Sequence, residues 1–266
     1  MKKVLLIISY FTMLVIPLNT FAQSKVLEQG EELKYEVYYG FIKLGMVKFK
    51  TSNVTVNEDK SITCNSSVEM KSYDGVPLVS ISYIFESEMQ AIKNEIYSTS
   101  FHSSEFKDKQ ILNTSYEFVY DSSFVRMSKE SNNKSLFNGN YKFNKGTKYQ
   151  DGLSLFYTAR LNSFESKNYN VPIFINENQN SVKYSFNKNE DVVNIDMVDY
   201  DIGVIKIAGN ADFTGVFGLT GEFIGWFSDD EYRVPIKAQF NVLIGSVTLE
   251  LISYKKKNWK PPVFKN

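Results

Sequence analysis

The sequence predicts an all-β protein, mainly antiparallel, with one short α-helix and a sheet curved strongly enough to be barrel-like or clamshell-shaped. Three observations predict this. Strand-favouring residues crowd into short segments, and aromatic residues alone make up 15% of the chain; such side chains suit a pleated, half-buried surface. Apolar and polar positions alternate with period two through most segments, and short turns join them, as antiparallel hairpins require. The period becomes helical only once, after Asp151.

Residues 1–22 read as a secretory signal peptide. Lys2 and Lys3 form a positive start, Val4 to Pro17 is an almost unbroken apolar run, and Thr20-Phe21-Ala22 gives the small-residue pattern for cleavage before Gln23. A retained anchor is the competing reading, but the run is shorter than the roughly 20 residues that span a bilayer. No cysteine lies near the cleavage site, so the expectation is an exported, periplasmic or envelope-associated protein that is not a lipoprotein, with no transmembrane segment after cleavage. Residues 23–266 read as one β-rich domain ending in a short basic tail.

The first strand is Leu33, Tyr35, Val37 and Tyr39 alternating with polar neighbours; Gly40 to Gly45 turns the chain, and Val47, Phe49 and Thr51 return. Ile62, Cys64, Ser66, Val68 and Met70 place Cys64 on an apolar strand face, where a buried structural thiol is expected rather than a reactive one, no His, Lys or Arg flanking it. After Asp74-Gly75-Val76-Pro77 come strands at Val79–Phe85, Tyr97–Phe101, Leu112–Tyr120 and Phe124–Met127; residues 130–146, rich in Asn, Lys and Ser, read as a loop or weak hairpin. Leu153, Phe156, Tyr157, Leu161 and Phe164 then share one helix face, with Asp151 as N-cap and Arg160 on the inner or flanking side, seeking carbonyls or an acid such as Asp229 or Asp230.

Strands resume at Val171–Ile175, Val182–Phe186, Val193–Met197 and Val204–Ile207. Phe217 to Phe227 interleaves glycines with aromatics, as a bent sheet needs. The longest clean stripe runs from Val234 to Ile244, Gly245-Ser246 turns the chain, and Val247, Leu249 and Leu251 follow. Lys255 to Asn266 reads as a tail along the surface.

The chemical inventory is narrow. The chain has one histidine, His102, one cysteine, and equal numbers of basic and acidic residues. Intramolecular disulfides and a His-rich zinc site are excluded, no phosphate-cradling glycine loop appears, and no basic footprint for nucleic acid exists. No catalytic, cofactor-binding or metal residue is assigned and no cofactor is expected. Asp229-Asp230-Glu231 and the Asp196–Asp201 group are read as turn formers before they are read as a glycosidase pair or a calcium loop. The remaining chemistry is apolar: a curved aromatic sheet either packs solid or closes over a cavity.

Four stretches carry a resemblance to an exported bacterial family, domain of unknown function 3108: Gly30-Glu31-Glu32-Leu33-Lys34-Tyr35 with Tyr39 to Gly45; Asp151 to Tyr157 with Arg160; Trp226 to Ile236; and Gly245 to Leu251. Asp201-Ile202-Gly203-Val204 departs from the family's PxGxF-like turn. The resemblance implies an exported, mainly antiparallel β protein and transfers no catalytic residue. It singles out Asp151, Tyr157, Arg160, Trp226, Asp229, Asp230, Arg233, Pro235 and Gly245 as structural positions, with a buried Asp–Arg pair joining helix to turn as the specific expectation.

Three functions follow. The first is non-catalytic binding of a lipid, another amphiphile or a partner on the concave face. The second is an assembly factor that docks an envelope protein through sheet edges or the basic tail. The third is a carboxylate-based glycan hydrolase.

Overall fold

The structure is a computed structural model. It describes residues 25–265 apart from 78, 94, 214–220 and 243–244, and for 188–190 the backbone only. The signal segment, Phe217, Leu219 and Ile244 therefore lie outside the described residues.

The chain folds as two meanders joined through their ends. The first runs β1 (Glu32–Tyr39), β2 (Ile42–Val56), β3 (Ile62–Ser72), β4 (Ser82–Ile92), β5 (Glu95–Lys107), β6 (Gln110–Val119), β7 (Phe124–Ser131) and β8 (Lys134–Lys142). Helix α1 (Gly152–Asn162) follows, then β9 (Asn168–Ile175), β10 (Asn178–Val193), β11 (Ile202–Ala211), β12 (Gly221–Ser228), β13 (Pro235–Asn241) and β14 (Ser246–Lys255). Each strand pairs antiparallel with its neighbour. β1 also pairs with β14, giving one sheet in the order β8 to β1 and then β14 to β9. β12 to β14 are thus central strands, flanked on both sides.

The sheet is not closed by strand pairing, because β8 and β9 are its two edges. It curls until its halves meet through the segment before α1. Ser98 N–H of β5 donates to Tyr149 O (2.9 Å), Gln150 N–H donates to Pro172 O (2.9 Å), and Phe174 N–H donates to Gln150 O (2.8 Å). Phe174 of β9 then packs edge-on against Tyr116 and Phe118 of β6. The shape is barrel-like with a stitched seam.

Several boundaries differ from the periodic reading. The first turn is only Gly40-Phe41, and Gly45 sits inside β2, where a Cβ would lie 2.2 Å from Lys71 O of β3; it permits a close approach instead of a turn. Residues 130–146 take the hairpin alternative: they carry the end of β7, the turn and all of β8, and Asn132 and Asn133 adopt the positive φ angles that a tight turn needs. Val182 to Val193 belong to the single long strand β10, which absorbs the irregularity through a register shift between Asn187 and Asp191.

The tail does not lie loose on the surface. Lys256 and Trp259 are buried, Gly203 N–H donates to Pro262 O, and Phe264 N–H donates to Asp201 O.

Candidate functional site: an apolar cavity behind a clasped helix

Asp151 starts α1 as the spacing predicts. Its Oδ1 accepts from Leu153 and Ser154 N–H (2.6 and 2.9 Å), and Ser154 Oγ accepts from Asp151 N–H, completing a capping box. Ser87 Oγ donates to the other carboxylate oxygen (2.6 Å). Burial pushes the Asp151 carboxyl up, against the serine hydroxyls and amides that favour its charged form. The helix is buried beyond its apolar face, Thr158, Ala159 and Arg160 included, because the curled sheet wraps it. Tyr157 Oη lies 2.8 Å from both Thr51 Oγ1 and Ser66 Oγ, and Phe156 stacks on Phe49 at 4.2 Å.

Arg160 is fully buried, but its acid is Glu31, not Asp229 or Asp230. The guanidinium forms a bidentate pair with Glu31 (2.6 and 3.0 Å) and donates to the carbonyls of Arg233 and Tyr232 (both 3.1 Å). The planar fork suits this geometry. Lys256 closes the group from the tail, binding Glu31, Glu28 and Lys25 O. Burial alone would raise the Glu31 carboxyl, but the Arg160 guanidinium and then the Lys256 ammonium outweigh it and hold it below the usual carboxylate value. Burial and the neighbouring Arg160 charge push Lys256 down.

The expected Asp–Arg bond between helix and turn is therefore corrected: the helix reaches the turn through carbonyls, and the acids serve the turn itself. Asp230 Oδ1 accepts from Ser228 Oγ and from Tyr232 and Arg233 N–H, while its Oδ2 accepts from Trp259 Nε1 (2.8 Å). Asp229 pairs with Arg233 (2.6 Å), whose φ of 48° these bonds support. Sequence reasoning missed Glu31, Lys256 and Trp259. The signal available was the charge of residues bordering apolar runs at the two termini, which β1–β14 pairing brings together.

The other family-like positions are dispersed. Pro235 is buried and its carbonyl accepts from Tyr35 Oη (2.9 Å). Trp226 donates to Asp191 Oδ2 (3.1 Å). Gly245 turns β13 into β14 at φ 77°, where a Cβ would also approach Tyr39 Oη at 3.1 Å. Cys64 is buried and its thiol is pushed up to about 12, first by desolvation and then by the Glu31 charge, which disfavours a thiolate nucleophile. His102 sits half-buried beside a polar groove of about 860 Å³ on the other sheet face, with Ser115 Oγ at 2.8 Å and Ser104 Oγ at 3.3 Å. Among the described residues no cluster of three or more potential metal ligands occurs.

Between α1 and the inner sheet face lies a cavity of about 320 Å³. Leu155, Phe156 and Ala159 line it from the helix, and Ile207, Phe223, Phe227, Ala238, Phe240 and Leu249 from β11 to β14. Gly225 helps keep it open, since a Cβ there would lie 2.8 Å from Ile207 Cγ2. Its two phenols are already engaged: Tyr35 Oη with Pro235 O, and Tyr184 Oη with Asn162 Nδ2 (2.7 Å). The wall thus has an apolar surface whose polar groups are satisfied elsewhere.

The family model described as "Protein of unknown function (DUF3108)" matches residues 34–252, nearly the whole sheet. The chain belongs to this family. No curated protein matches the DUF3108 chain. Among solved structures it is similar to a beta-barrel-like protein of domain of unknown function DUF1849 from Brucella abortus, with TM-score 0.55, 8% identity, and coverage of 87% of this chain and 99% of that one. At that identity the likeness is one of fold. A looser likeness, TM-score 0.34 at 9% identity over 86% of this chain and 97% of the other, is to a Bacteroides fragilis protein described as exported with a YmcC-like fold. Among the described residues no helix of the DUF3108 chain is long and apolar enough to cross a membrane.

Proposed function

We propose that this DUF3108 protein is exported to the cell envelope and binds, without catalysis, the apolar tail of a single-chain amphiphile in the cavity behind α1. The observation that supports this reading is the lining: aliphatic and aromatic side chains, with both phenols bonded elsewhere. Apolar pockets of this kind take apolar guests. If each methylene takes roughly the 30 Å³ of a liquid water, a cavity of about 320 Å³ holds about ten of them. That is room for one short acyl chain.

At roughly 0.8 kcal/mol per buried methylene the tail contributes about 8 kcal/mol, equivalent to a Kd of about 1 µM before ordering costs weaken it. Such affinity suits reversible carriage. The polar head stays outside, because among the described residues the polar groups of the wall are already engaged, Lys237 by Glu250 (2.8 Å) included.

Native mass spectrometry of protein released from its own envelope, with lipid extraction of the same sample, tests the reading. The expected result is one medium-chain amphiphile per protein chain and a mature N-terminus at Gln23. A ligand-free protein that takes up no offered amphiphile would refute the binding claim, and an N-terminus at Met1 would refute the export claim.

A further inference from the structure

The two edges of the sheet are treated differently. At β9, Pro172 supplies no N–H, and Gln150 occupies the edge by donating to Pro172 O and accepting from Phe174 N–H. At β8, among the described residues, the one bond to the outer edge is from Gln179 Nε2 to Lys142 O, at the strand's end. Lys134 to Asn138 are exposed, with Leu136 62% accessible, while Gly139 and Tyr141 are half-buried and Tyr141 packs at 6.0 Å against Phe174 of β9; the strand contains no proline. A strand of nine residues with open backbone groups is a template for an added strand.

Charge specifies what the edge takes. Lys134 and Lys142 stand at the two ends of β8, Lys145 follows, and residues 132–150 contain no aspartate or glutamate. An antiparallel second copy centred on the strand would set Lys134 against Lys142, a like-charge pairing that disfavours self-association. An extended segment with an apolar middle and carboxylates at its ends meets Leu136 and both lysines in either direction. We propose that β8 accepts such an acidic, extended segment of a partner protein as a fifteenth strand of the sheet.

The probe is a fluorescein-labelled nonapeptide of alternating Thr and Val with a Glu pair at each end, followed by fluorescence anisotropy and amide hydrogen exchange of the full mature chain. The expected result is saturable binding below about 1 mM, slowed exchange of the β8 amides, and roughly tenfold weaker binding by the exposed-site variant Lys134→Glu/Lys142→Glu. A peptide N-methylated at every second residue should not bind, since backbone pairing is then blocked. The double variant should melt like the parent and bind cavity amphiphiles normally, so failure here and failure of the carrier reading are separable. The proposal falls if the Glu peptide does not bind, if the N-methylated peptide or the double variant binds equally well, or if the β8 amides are protected by dimerisation without peptide.

Discussion

Arg160 ties the helix to Glu31, the residue before β1, and to the Tyr232–Arg233 carbonyls before β13. Arg160→Ala leaves Glu31 buried with only Lys256, and breaking a buried pair typically costs about 3 kcal/mol or more. For a domain of this size that lowers Tm by roughly 6–12 °C, readable by thermal denaturation. Replacing the pair by apolar residues, Arg160→Met with Glu31→Leu, should cost less than Arg160→Ala only if Lys256 is also neutralised, as in Lys256→Met. The acid limb follows from Glu31. Its folded pKa lies below the unfolded value of about 4.3, so its contribution is complete above that value and is lost as pH falls through the folded pKa. Asp151 has the opposite sign: its raised pKa makes the folded state bind that proton more readily, so its contribution becomes more favourable as pH falls. Denaturant melts from pH 6 to pH 3 should therefore show a shallower acid loss in Glu31→Gln than in the parent. The sequence made Arg160 stand out as a helix residue on a buried side, but not its partner. Glu31 lies 129 positions away, and only the pairing of the two terminal strands decides that it, and not Asp229, is within reach.

At the level of elements, periodicity located β1 to β7 and the helix because each has one face against the core and one against solvent. It failed where that contrast fades. β8 is exposed on both faces, so no alternation marks it as a strand. β10 passes through a register shift, so one strand looked like two. The terminal segment runs along the surface as its lysines suggest, but it is pinned there: the Lys256 ammonium is drawn inside by two carboxylates and a carbonyl, and Trp259 is anchored on Asp230. The tail is thus a structural strap. Deleting residues 256–266 should destabilise the whole fold and expose the Glu31–Arg160 pair, seen as a lowered Tm and faster exchange in β1 and α1. A tail that served only to dock a partner would be removed without changing Tm. The pinned tail also moves the docking question to the free β8 edge.

For the molecule as a whole, the sequence conveyed an antiparallel sheet, its curvature and the helix after Asp151, through interleaved glycines, aromatic density and one change of period. It could not convey whether the aromatic interior was solid, because volume depends on how the curled halves meet. Here they meet at Tyr149-Gln150 and Phe174, at the N-terminal end of α1, and the described residues leave the space between the helix and β11 to β14 unfilled. Its filling is the most direct test of the account. The measurement is a titration of the mature protein with 11-(dansylamino)undecanoic acid, comparing the parent with Ala238→Leu and Ala159→Phe, each of which places a side chain into the cavity. The predicted result is one site per chain, a Kd near or above about 1 µM, and at least roughly tenfold weaker binding in both variants while they remain folded by circular dichroism. Saturable binding that both folded variants retain undiminished, or no binding by the parent at probe concentrations of about 100 µM, would contradict it.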